Sequence, residues 1–180
     1  MSSFPRVLVS GTVTLLLVAL PGAAGAGAGT RTVTDADDTR GRLDVTSATH
    51  GHDGRALLHT VRMQRRWASS LLDDGEVTLQ FRINGRFRTL DVHHRDGRLV
   101  GRICTEAAAG DVSSCSRQVG LSRPDRRTLS VTLASRQLGP ALSSYSWQVV
   151  TLLDNGEGRC PDTVCLDQLP DDGAWVKHRL

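Results

Sequence analysis

Val77-Thr78-Leu79-Gln80-Phe81-Arg82-Ile83, followed at once by Asn84-Gly85, decides the fold. Val77, Leu79, Phe81 and Ile83 alternate strictly with polar residues, the period of a strand with one buried face. Asn84-Gly85 then supplies two positions that tolerate positive φ, the strongest short hairpin signal. The partner strand runs from about Arg86 to His94. Asp96-Gly97 makes the next tight turn, and Leu99 to Cys104 returns. Three strands joined by two tight turns form an antiparallel meander.

The same alternation recurs on both sides. Upstream, Leu43, Val45 and Ser47 share one face of a strand. After turn residues at Gly51, Asp53 and Gly54, the residues Leu57, His59, Val61 and Met63 share one face of its hairpin partner. Trp67 and Leu71 lie four apart, which predicts one helical turn before Asp73-Asp74-Gly75. Downstream, short strands are predicted at Val119–Leu121, Leu129–Leu133 and Tyr145–Leu153, with turns at Arg123-Pro124-Asp125 and Gly139-Pro140. Thr30 to Arg42 reads as a loose acidic lead-in, Glu106 to Ser116 as a polar excursion, and Gly158 to Leu180 as a turn-rich tail. About eight short strands with frequent turns and no long amphipathic helix predict an all-β, antiparallel β-sandwich.

The N-terminus sets the compartment. Arg6 precedes an apolar run from Val13 to Leu20, Pro21 ends it, and small residues fill Gly22 to Gly29. Ala24-Gly25-Ala26 and Ala26-Gly27-Ala28 fit a small-x-small cleavage pattern. Residues 1–28 therefore read as a signal peptide and residues 29–180 as one secreted domain. The run is too short to span a bilayer, so no membrane insertion is expected after cleavage. The first cysteine is Cys104, which excludes a lipid anchor on a cysteine following the leader.

Export makes the four cysteines a disulfide framework, with three possible connectivities. Cys104–Cys115 and Cys160–Cys165 are favoured, because each pair brackets a short polar loop. Such loops contribute about 2–3 kcal/mol each on the chain-entropy model. The rival is a four-thiolate zinc site, whose usual ligand spacing is absent. The formal net charge of +3 is spread along the chain. No basic stripe marks a nucleic-acid surface, so no nucleic-acid partner is expected.

Several side-chain groups carry candidate chemistry. His50 and His52, two apart on a strand, offer nitrogens on one side, and with His93 and His94 they could build a copper or zinc site if their turns share one end of the sandwich. The competing expectation is that these are polar residues at strand ends, while His59, on an apolar face, is a hydrogen-bonded core residue. Asp35, Asp37 and Asp38 could hold calcium with a carboxylate from another loop, such as Asp171 or Asp172. Among the aromatics, Phe81, Trp67 and Trp147 are expected in the core, and Trp175 and Phe87 are the candidate exposed ligand-binding rings. No nucleophile elbow, zinc-protease helix or serine-x-x-lysine motif is present. Glu76, Glu106 and Glu157 lie in predicted loops or at strand ends and do not single out a glycosidase pair.

Val33-Thr34-Asp35-Ala36-Asp37-Asp38, then Leu43-Asp44-Val45 and Ala56 to Met63, resemble a group of small secreted proteins of GC-rich Gram-positive bacteria. Arg123-Pro124-Asp125 before a strand, and Trp175 and His178 near the C-terminus, are similar too. The resemblance implies a β-sandwich with no assigned activity and carries over no catalytic residue. Where related chains show an acidic hairpin after the third strand, this one has Asn84-Gly85-Arg86. The expected function is a non-catalytic extracellular binding module for a protein or glycan, without a cofactor. The alternatives are a protease inhibitor presenting Ala107 to Ser114, and a histidine-dependent metalloenzyme.

Overall fold

A computed structural model describes residues 29–106, 112–116, 119–154 and 164–180. Among these described residues, twelve strands are arranged in two antiparallel sheets. The first strands are β1 (Arg31–Thr34), β2 (Val45–Asp53) and β3 (Ala56–Met63), followed by β4 (Gly75–Ile83), β5 (Arg86–Arg95), β6 (Arg98–Glu106) and β7 (Val112–Ser116). Then come β8 (Gly120–Ser122), β9 (Thr128–Ala134), β10 (Ser144–Asp154), β11 (Val164–Leu169) and β12 (Val176–Arg179). One sheet has the order β1-β2-β3-β9-β8. The other has the order β11-β10-β4-β5-β6-β7, with β12 also paired to β10. The chain changes sheet after β3, after β7 and after β9, so each sheet is assembled from distant segments.

The central hairpin is as the sequence predicts. Ile83 pairs with Arg86 across Asn84 and Gly85, which hold φ of 50° and 77°. Asp96 and Gly97 repeat the device at 52° and 75° between Arg95 and Arg98. Positive φ at both turn residues matches the right-handed twist of the flanking strands. Val77, Leu79 and Phe81 are fully buried in one continuous core that also holds Val61, Leu129 and Val131 of the opposite sheet. The predicted helical turn is a 3-10 turn at Ser69–Asp73, which seats Leu72 in that core.

The described residues form twelve strands, against the eight or so expected. β1, β7, β11 and β12 lie where the sequence reads as lead-in, excursion and tail. β1 and β7 are short partners of β2 and β6 with little apolar alternation to reveal them. β11 and β12 do alternate, but Asp167 and His178 occupy buried positions where an apolar residue would have marked the strand. A second difference lies in β2. A bulge between Val45 and Ser47 shifts its register, so Ala48 and His50 turn inward instead of Ser47. The turn expected at Gly51 to Gly54 shrinks to Gly54-Arg55, with Asp53 paired to Ala56, and His50-Gly51-His52 becomes strand.

Cys104 and Cys115 face each other across β6 and β7 and form the first expected disulfide. For the second expected pair, Cys165 is buried on β11, while Cys160 lies outside the described residues. The signal-peptide reading of residues 1–28 and the inhibitor-loop residues 107–111 also lie outside them. No helix among the described residues is long and apolar enough to cross a membrane.

Candidate functional site

Histidines gather inside the sandwich, not at its rim. β2 turns His50 inward, and β3 puts His59 directly opposite it. From the other sheet, β12 sets His178 opposite Tyr145 on β10, two residues from Trp147. The His50 ring meets His178 edge-on at 4.5 Å and Trp147 at 4.9 Å. Nε2 of His59 and the Tyr145 hydroxyl share a hydrogen bond of 3.0 Å, the core role expected for His59. Nδ1 of His52 and Nε2 of His178 share another at 3.1 Å.

His50, His59 and His178 are all buried. Burial holds His59 down at about 3 and His50 at about 4, with the charges of neighbouring rings and, at His50, of Arg31 adding to it. Burial lowers His178 too, with His52 adding. The three are neutral at physiological pH. Nδ1 of His50, Nδ1 of His59 and Nε1 of Trp147 are buried without a hydrogen-bond partner. The two sheets therefore meet here through neutral imidazole and aromatic rings packed edge to face.

The four-histidine grouping that a shared end would have allowed does not form. His93 and His94 pair with Val100 and Leu99 beside the β5–β6 turn. That is the Val77 end of β4, whereas His59 packs on Phe81 toward the other end. Nδ1 of His94 bonds Asp73 at 2.8 Å. Both rings line an open groove of about 850 Å³ with Arg95, Arg98, Arg102 and Leu121. The sheet assignment, which no local pattern reveals, separates the two pairs. His59 and His178 instead surround His50 and His52. Alternation of Val176 with His178 was the available signal for His178, and the turn-rich tail obscured it.

The two candidate ligand-binding rings do converge, with Phe87 exposed and Trp175 half-buried. Phe87 on β5 and Trp175, just before β12, lie 5.8 Å apart with their planes tilted by 55°. The Arg82 guanidinium sits 5.1 Å over the Trp175 ring. Phe87 is 42% exposed, so the patch is open to solvent. Arg82 and Phe87 are cross-strand partners on the outer face, because Phe81 beside them points into the core. Gln80 shares that face, and a ladder of amides runs from it. Gln148 donates to Gln80 at 2.6 Å, and Gln168 donates to Gln148 at 3.3 Å. Trp67 and Trp147 are core residues, as expected. Trp67 donates to the Arg127 carbonyl and lies 4.0 Å beneath the Arg123 guanidinium.

Asp35, Asp38 and Asp171 bring carboxylate oxygens within 4.8 Å of one another. This is the one convergent group of three or more metal-ligating side chains among the described residues. Asp172, the alternative fourth ligand, is outside that group. The chain matches no family model, no curated protein and no solved structure.

Proposed function

We propose that the protein is a non-catalytic extracellular binding module and that its ligand is a glycan. The observation that carries this reading is the cluster of exposed Phe87 and Arg82 with half-buried Trp175 on the outer face of the sheet. Aromatic rings offer apolar faces to the C–H surfaces of sugars, while planar amides and guanidinium groups bond vicinal hydroxyls. Gln80 and Gln168 extend the patch with such groups, oriented by their hydrogen bonds to the buried Gln148 between them. Rigid strands carry most of these side chains, so little side-chain freedom is lost on binding. The leader read in residues 1–28 and the Cys104–Cys115 bridge support an extracellular location.

Affinity electrophoresis through gels containing soluble polysaccharides tests the reading. Retardation by at least one glycan is expected, with Trp175→Ala and Phe87→Ala each weakening it about ten-fold or more. A panel spanning neutral, acidic and amino-sugar polymers that retards neither the parent nor the variants would refute glycan binding. Retardation unaffected by Trp175→Ala would move the site elsewhere.

A further inference from the structure

β12 is lightly held. It has four residues and pairs only with β10, from Ser144 to Trp147, ending at a bond from the Leu180 amide to the Ser143 carbonyl. Val176 and His178 are its buried side chains. Trp175, the ring that meets Phe87 and lies under Arg82, immediately precedes it. What keeps His178 in place therefore keeps Trp175 in place.

His178 is bonded to His52, through Nε2 and Nδ1 at 3.1 Å. An imidazole nitrogen donates when protonated and accepts when bare, so this bond carries one proton and no more. A first added proton goes to a far nitrogen and leaves the bond intact. A second sets two N–H groups head to head between two cations. The surroundings do nothing to offset that charge. His178 also faces His50 of β2 at 4.5 Å and Tyr145 of β10 at 5.2 Å, both kept neutral by burial. Beyond His50 stand neutral His59 on β3 and the cation Arg31 on β1. Among the described residues, no carboxylate forms an ion pair with His50, His52 or His178. Gly29 lies over the pair, where an added Cβ would come 3.1 Å from the His52 ring and 3.7 Å from the His178 ring. β2 is nine residues long and paired on both edges, to β1 and β3. When the two rings part, β12 is the element that gives.

We propose that the His52–His178 pair is an acid-operated latch on the aromatic patch: with both imidazoles charged, β12 leaves the edge of β10 and carries Trp175 away from Phe87 and Arg82, so that ligand held at neutral pH is released in acid. The release of ligand rests on the glycan reading, whereas the movement of β12 does not. Burial lowers the docked His178, with His52 adding. A released ring regains its ordinary value of 6.5, so release is favoured as pH falls, by up to about 100-fold at pH 4.5. Phe87 and Arg82 stay behind, because β4 and β5 are paired on both edges. The bistable element is thus one short strand, and the histidines bias it.

Amide hydrogen exchange at pH 7.5 and pH 4.5, corrected for the chemical rate, tests the latch without any ligand. Protection of Val176–Arg179 should fall about ten-fold or more at the lower pH, while that of Val77–Phe81 on β4 is retained. His52→Gln, at a half-buried position, keeps a hydrogen-bonding group that does not titrate, and should hold β12 protected at both pH values. His178→Gln should do the same from the other side of the bond. Unchanged protection of β12 in the parent, an equal loss in β4, or the same loss in both variants would overturn the proposal. Affinity electrophoresis in the neutral polymers hydroxyethylcellulose and laminarin adds the ligand arm. A polymer that retards the parent at pH 7.5 should retard it about ten-fold less at pH 4.5, and should retard His52→Gln alike at both. Equal retardation of the parent at both pH values would overturn the release. A panel that retards nothing at pH 7.5 counts against the glycan reading alone, and the exchange result then decides the latch.

Discussion

Replacing His50 with phenylalanine should remove about 2 kcal/mol of acid sensitivity between about pH 7.5 and pH 5. In the unfolded chain this imidazole protonates near its ordinary 6.5, whereas in the fold it stays neutral down to about 4. The stability it contributes is therefore present above 6.5 and is lost as pH falls toward 4. Holding one such ring neutral about 1.5 pH units below its ordinary value costs about 2 kcal/mol. His59, held at about 3, costs a similar amount at pH 5, and His178 acts in the same direction. Two such terms are comparable with the whole stability of a marginal domain. The carboxylates of Asp35 and Asp44, between β1 and β2, titrate in the opposite sense. Asp44 and Asp35 are raised, so the fold gains stability as pH falls through their range. The parent's curve mixes the two and can look flat, which makes the difference between variant and parent the diagnostic quantity. Urea unfolding followed by tryptophan fluorescence at the two pH values measures it. Phenylalanine preserves a ring against Trp147 and His178 but binds no proton. The variant-minus-parent difference should shift by about 2 kcal/mol in the variant's favour at the lower pH. His59→Phe should show the same shift on top of a constant loss from the orphaned Tyr145 hydroxyl. A difference that does not change with pH in either variant would refute the claim that these rings are held neutral by burial.

Removing the bridge between β6 and β7 by changing Cys104 and Cys115 together to alanine should cost about 2–3 kcal/mol, read as a lower denaturation midpoint. Arg123→Ala should cost about 2 kcal/mol, because the guanidinium stacks on Trp67 and donates to the Trp67 carbonyl and Ser69. Arg123→Lys should not restore it, since an ammonium lacks the planar fork, and recovery to parental stability would contradict this. Gly85→Val should cost about 1–2 kcal/mol through backbone strain alone, because φ is 77° and a Cβ there meets open space. Equilibrium unfolding measures it, and a neutral effect would mean the hairpin turn is not held in its left-handed form.

The strands legible in the sequence are those whose inward residues are apolar. Val77, Leu79 and Phe81 announce β4, and Asn84-Gly85 announces its turn, because alternation and positive φ are local properties of the chain. Where the inward residue is polar, the pattern fails. β11 hides behind Asp167, β12 behind His178, and the inward face of β2 behind His50 and a bulge. Those polar residues become legible only with their partners, which lie far off in sequence. His50 needs His178 and Trp147, and Asp167 needs the Val45 amide.

The same divide runs through the candidate sites. Residue pattern and type alone pointed to an all-β sandwich, favoured a Cys104–Cys115 pairing, singled out Phe87 and Trp175 as candidate rings, and marked an acidic opening at Asp35 to Asp38. Only the tertiary structure decided that the two rings meet, that His93 and His94 lie apart from His50 and His52, and that Asp171 joins Asp35 and Asp38. The physical reason is that alternation fixes which way a side chain points, but not which sheet a strand joins. Assignment to a sheet is a choice among non-local pairings, stabilised by burial that exists only once both layers have closed.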